Sequence, residues 1–154
     1  MNLQQLNHAR NRISDLIAVD RDGEKLLIVE VKANNRRRDV ARLQLISFLQ
    51  SEKAISQVII PYAAIVTLEN IELFEWNGDE LTLRYCFDTT EVLREYDSEI
   101  GKKRIFEYYL GSLVEGWLRD IAYRWKLENP PKLKELDKLG LASRIAEVVP
   151  EMVL

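Results

Sequence analysis

The sequence predicts an α/β fold: a sheet covered on both faces, then a helical C-terminal part. Three observations carry this. Residues 13–19 and 26–33 are rich in Ile, Leu and Val on both strand faces, as in a sheet buried on both sides. A helical pattern at 39–53 separates them from three further strand-like runs. After Thr90 the pattern stays helical almost to the end. A length of 154 residues suits one domain with a sizeable core. The division reads as a core over residues 1–100 and a helical extension over 101–154 packed on the same domain.

Taken in order, residues 13–19 form the first strand. Asp22-Gly23 between apolar runs predicts a two-residue type I′ turn, because that turn needs positive φ at both central positions. Residues 26–33 return, and 34–38 are a polar break. Asp39 is the expected N-cap of a helix to about residue 53. Its stripe reads Val40, Leu43, Gln44, Ser47 and Phe48, widened by Leu45, Ile46 and Leu49. Strands follow at 62–68, 71–76 and 81–87. The loop 77–80 pairs Trp76 with Leu81 and Phe74 with Leu83. The longest helix is expected over 105–125, stopped by Pro130-Pro131. Short helices at 132–139 and 142–148 close the chain, with Gly140 as a C-cap between them.

Composition narrows the function classes. Hydrophobic residues are 47% and charged residues 31%, an ordinary globular balance. The longest nearly apolar run, 58–66, contains Pro61 and is too short to span a bilayer. Residues 1–12 are polar and lack the apolar centre of a secretory signal. One cysteine, Cys86, and one histidine, His8, exclude a zinc finger. A lone cysteine is at home in a reducing cytoplasm, and Cys86 reads as a core residue. His8 reads as a surface residue. The net charge of −3 argues against coating nucleic acid by bulk charge, yet residues 1–60 carry ten Lys/Arg against seven Asp/Glu. Any polyanion would meet that part.

The predicted hairpin also serves as a ruler. With Asp22 and Gly23 in the turn, facing residues sum to 45, so Val19 faces Leu26, Ile17 faces Ile28 and Asp15 faces Glu30. Lys32, two residues on, points to the same side as Glu30. Two carboxylates and an ammonium thus meet in strands otherwise made of Leu, Ile and Val, where charge is expensive. Opposed like charges call for a cation between them, and a divalent ion suits hard oxygen ligands. Just beyond lie Arg36, Arg37, Arg38 and Arg42, read either as phosphate contacts or as a solvated loop and first helical turn. Lys102-Lys103-Arg104 reads as a solvated helix start. The aromatic positions of the long helix read as core, with room for a helix-to-helix homodimer contact.

Asp15, then fourteen intervening residues, then Glu30-Val31-Lys32 at a strand end and a helix after it, resembles the PD-(D/E)XK nuclease superfamily, the restriction-endonuclease-like fold. The Ile-x-Asp strand, the Glu-Val-Lys-Ala stretch and the helix with Gln44 and Phe48 are most similar to the nuclease domain of type I restriction R subunits. The tail from Trp117 to Leu141 resembles that of small stand-alone bacterial proteins of this fold. The resemblance implies a three-layer α/β/α sandwich with a mixed central sheet and a C-terminal helical extension. It implies Mg²⁺ or Mn²⁺ held by Asp15, Glu30 and the backbone carbonyl of Val31, with Lys32 orienting or activating the attacking water. Gln44 would reach the same site, or is a core amide bonded to backbone. Two departures stand out. Ser14 replaces the proline that names the motif, and residues 1–14 contain no acid to match the upstream Glu of many members.

The expected function is a metal-dependent nuclease acting on DNA. The alternative is a non-catalytic or weakly active accessory module, such as a controlling factor in the excision of a DNA element. With no DNA-reading module visible in the sequence, recognition is expected from a homodimer or from a larger restriction or recombination complex.

Overall fold

Alternation along the second strand explains the layers. In the computed structural model, which describes residues 15–150, a six-stranded sheet has the order β5-β4-β3-β2-β1-β6. Its strands are β1 (Leu16–Val19), β2 (Lys25–Val31), β3 (Tyr62–Val66), β4 (Asn70–Trp76), β5 (Leu81–Asp88) and β6 (Glu147–Pro150). Leu27, Val29 and Val31 of β2 enter one apolar cluster, while Ile28 enters another on the opposite face. The second face is covered by α1 (Arg38–Ser56), through Ala41, Leu45 and Leu49. The first is covered by α2 (Thr89–Leu93), α3 (Glu107–Tyr123) and α4 (Leu133–Leu139). The molecule is a three-layer α/β/α sandwich. Its sheet is mixed: β2 and β3 run parallel across the α1 crossover, and every other neighbouring pair is antiparallel.

Two registers agree with the sequence reading. Phe74 faces Leu83 and Trp76 faces Leu81. In the hairpin, Ile17 faces Ile28 and Ala18 faces Leu27, the sum of 45. The register then slips, so that Val19 faces Lys25 rather than Leu26. The two-residue turn is accordingly replaced by a wider loop. The Asp20 carboxylate closes it by accepting the N–H groups of Asp22 and Glu24 at 2.9 and 3.0 Å. Gly23 keeps its predicted positive φ, +79°.

Several elements differ from expectation. Residues 142–148 do not form a helix. They turn, and Glu147–Pro150 adds β6 to the free edge of β1, where Val148 becomes fully buried. Asp39 is not the N-cap of α1 but lies inside its first turn, after a 3₁₀ turn at Asn35–Arg37 that Asn34 caps. The stripe of α1 is rotated from the expected one, leaving Val40 and Leu43 exposed. At 19 residues α1 is also longer than α3, which has 17. The latter ends at Tyr123, well before Pro130, because Arg124 turns left-handed with φ +54°. The fully buried Asp120 carboxylate holds that end by accepting from Tyr96 Oη and from the Lys126 and Leu127 N–H groups. Cys86 sits exposed on the outer strand β5 rather than in the core. On the last long helix Leu113, Trp117 and Ile121 are buried, but Tyr108, Tyr109 and Tyr123 are exposed, as is Trp125 just beyond. His8 and Ile13 lie outside the described residues. Among the described residues no helix is long and apolar enough to cross a membrane.

Candidate active site

Asp15, Glu30 and Lys32 follow Ile17 and Ile28 by the two-residue repeat of a strand, so they continue the α1 face of the sheet. They meet where β1 begins and β2 ends. The Asp15 N–H donates to the Val29 carbonyl at 2.9 Å, and one Asp15 carboxylate oxygen accepts the Val31 N–H at 2.6 Å. In an antiparallel pair a residue presents its N–H and C=O on the same side, so the Val31 carbonyl also points toward the Asp15 edge. Lys32 is anchored by its own N–H to the Val66 carbonyl at 2.8 Å, and its Nζ lies 3.3 Å from Glu30 Oε1.

The electrostatics follow from burial. Glu30 is only 1% exposed, and its Oε2 is buried with no hydrogen-bond partner. Burial pushes its carboxyl up to about 8 and the Asp15 charge adds to the rise, against the ammonium of Lys32. Burial raises Asp15 as well, opposed by the Val31 N–H and by Lys32. Two carboxyls raised together, one of them with an oxygen left without a partner, form a place where a cation is worth more than in water. The donors, two carboxylates and a carbonyl, are the hard oxygens that Mg²⁺ or Mn²⁺ takes. The residues present therefore fit such an ion. Among the described residues, no three His, Cys, Asp or Glu side chains converge closely enough to hold one by themselves.

Gln44 projects from α1 with its Oε1 buried and unpaired, and no hydrogen bond joins it to Asp15, Glu30 or Lys32. The four arginines divide. Arg38 forms a two-pronged pair with Glu72 of β4, one prong from Nε and the other from Nη2 at 2.7 Å. Arg42 packs over the Phe74 ring, 5.3 Å from its centroid. Arg36 and Arg37 are exposed and make no ion pair among the described residues.

Nothing in the sequence singles out Glu107. It opens α3, accepts the Ala33 N–H at 3.0 Å, and adds negative potential at both Asp15 and Glu30. It lies 74 residues from its partner, and no local motif spans that gap. The only available signal was an acid in a first helical turn, which any helix tolerates. Glu72 was equally silent, since its role depends on the register that brings β4 beneath the start of α1. Compared with family models, curated proteins and solved structures, the chain matches none.

Proposed function

We propose that this chain is a metal-dependent nuclease hydrolysing phosphodiester bonds in DNA, in the manner of the PD-(D/E)XK superfamily that its motif resembles. The observation that carries the reading is the meeting of Asp15, Glu30 and Lys32 in one buried corner, with Glu30 Oε2 left without a donor. Asp15, Glu30 and the Val31 carbonyl would hold Mg²⁺ or Mn²⁺. When bound, that ion polarises the phosphoryl oxygen and lowers the pKa of a water. The chain's own residues do the rest. The Val31 N–H fixes the rotamer of Asp15. Lys32, held by its strand and beside Glu30, puts a positive charge where charge grows on the phosphate. Exposed Arg36 and Arg37, just past Lys32, supply phosphate contacts. The setting is the reducing cytoplasm that a single cysteine suits.

The second reading, an accessory module without efficient catalysis, is favoured by one observation: among the described residues no third acid comes close enough to complete a three-acid metal site with the pair. One experiment separates them. Wild type and Lys32→Ala are compared on single-stranded, double-stranded and branched DNA with Mg²⁺ and Mn²⁺. The nuclease reading expects cleavage to fall about a hundredfold or more in Lys32→Ala. DNA affinity should change little, and Mn²⁺ binding should survive in Lys32→Ala but not in Asp15→Ala. Cleavage persisting in Lys32→Ala at the wild-type rate removes the active site from this corner. A wild type that cuts none of the three substrates supports the accessory module.

A further inference from the structure

Beside the carboxylate corner an open cleft of about 650 Å³ lies between the loop after β2 and the segment leading into α3. That volume falls within the roughly 300–1,000 Å³ of small-ligand sites, room for one or two nucleotides but not for a duplex. Its walls carry Arg36 on one side and Lys103, Arg104 and Phe106 on the other, with Glu69 and Glu107 also present. Lys103 is braced by Asp97 at 2.8 Å and lies over the Tyr109 ring. Arg104 and Arg36 make no ion pair among the described residues. The Arg104 guanidinium sits 5.0 Å from the centroid of the Phe106 ring, and Phe106 is 64% exposed. Tyr108, two residues on, is 90% exposed. The carboxylate of Glu107 is bound to the Ala33 N–H, so the inner end of the cleft is tied to the residue after Lys32.

We propose that this cleft binds single-stranded DNA, with a base stacked on Phe106 and the flanking phosphates met by Arg36 and Arg104. The chemistry argues for a single strand. An exposed aromatic ring with one guanidinium over it and a second across the cleft, neither in an ion pair among the described residues, offers a base face and phosphate contacts together, which is how single strands are held without sequence reading. A duplex hides its base faces in the stack and would leave Phe106 in water. The proposal rests on the nuclease reading only for the fate of the strand at Lys32; the binding chemistry of the cleft stands apart from it.

The test uses the full chain in EDTA, where metal-dependent cleavage is silent. Fluorescence anisotropy with a labelled oligothymidylate and with a duplex of equal length measures the preference. Wild type should bind the single strand at least about tenfold more tightly. Phe106→Ala should lose about tenfold in that affinity while Phe106→Trp retains it. In Arg36→Ala/Arg104→Ala the salt slope should fall by about 0.7 per lost phosphate contact. These side chains lie on an open wall, and circular dichroism confirms that the variants fold. Equal affinity for the two oligonucleotides, or a Phe106→Ala protein that binds like wild type, overturns the cleft. Cleavage assays with Mg²⁺ keep the two readings apart. Binding that depends on Phe106 in a protein that cuts nothing upholds the cleft and removes the nuclease. Lys32-dependent cleavage with Phe106→Ala binding unchanged removes the cleft and leaves the nuclease.

Discussion

Glu30 concentrates the electrostatic conflict of the molecule in one side chain. Its carboxyl titrates at about 8 in the folded chain, pushed there by burial and by Asp15, against 4.5 for the free group. Between those values the folded chain keeps a proton that the unfolded chain has released. The stability contributed by that protonated carboxyl is therefore complete below about 4.5 and is lost as pH rises through 8. Asp15, raised by the same burial, acts in the same direction. Urea denaturation of the metal-free protein should show stability falling across this window, by about 5 kcal/mol at the upper limit. Glu30→Gln, which cannot ionise, should flatten most of the fall; an unchanged slope would mean that another group sets it. A divalent ion reverses the logic by favouring both ionised carboxylates. At pH 8, Mn²⁺ should raise the denaturation midpoint of wild type and leave that of Asp15→Ala unmoved.

At the scale of elements, local pairing was legible and long-range choice was not. The facing of Ile17 with Ile28 and of Ala18 with Leu27 could be counted from Gly23 because a hairpin register is a short-range matter, even though the turn itself is wider than counted. The β4–β5 register came from the same arithmetic. The face of α1 is not legible in the sequence because its apolar residues run almost all round the helix, so periodicity alone does not say which side packs. What settles the entry of α1 is a tertiary contact, the pair between Arg38 and Glu72. Breaking it strands the carboxylate of Glu72, which is 6% exposed, near the sheet. Arg38→Ala should cost roughly 2 kcal/mol of stability. Because Arg38 is engaged by Glu72 and Asp39, on the proposed nuclease reading the same change should leave the salt dependence of DNA binding as it was. Arg36→Ala/Arg37→Ala should do the reverse, lowering the slope at unchanged stability. A slope that falls in Arg38→Ala would return that residue to the phosphate contacts.

The whole molecule is closed by its last strand, and the site depends on that closure. The tail reads as a helix in isolation, and it becomes a strand because β1 offers it an unpaired edge from the far end of the sequence. No pattern within residues 142–148 reports that edge. Yet β6 and the residue before it hold the edge of β1: Val148 is fully buried beneath α3, and the Ala146 N–H donates to the Val19 carbonyl at 2.8 Å. With only four residues, β1 is held by β2 on one side and β6 on the other, and Asp15 is the residue that leads into it. Loosening β6 should therefore be felt at the carboxylate pair. Val148→Ala removes two buried methyl groups and should cost about 2 kcal/mol. Deleting residues 141–150 bares the β1 edge and takes Leu141, Ile145 and Val148 from the core, and should abolish the cooperative unfolding transition. The informative measurement is amide hydrogen exchange in Val148→Ala. Faster exchange at Leu16–Val19 and at the Val31 N–H, with β4 and β5 unchanged, would show that the last strand holds the first and, through it, Asp15. Exchange that quickens evenly over the sheet would mean that Val148 acts only as bulk core and that β1 keeps its place without β6.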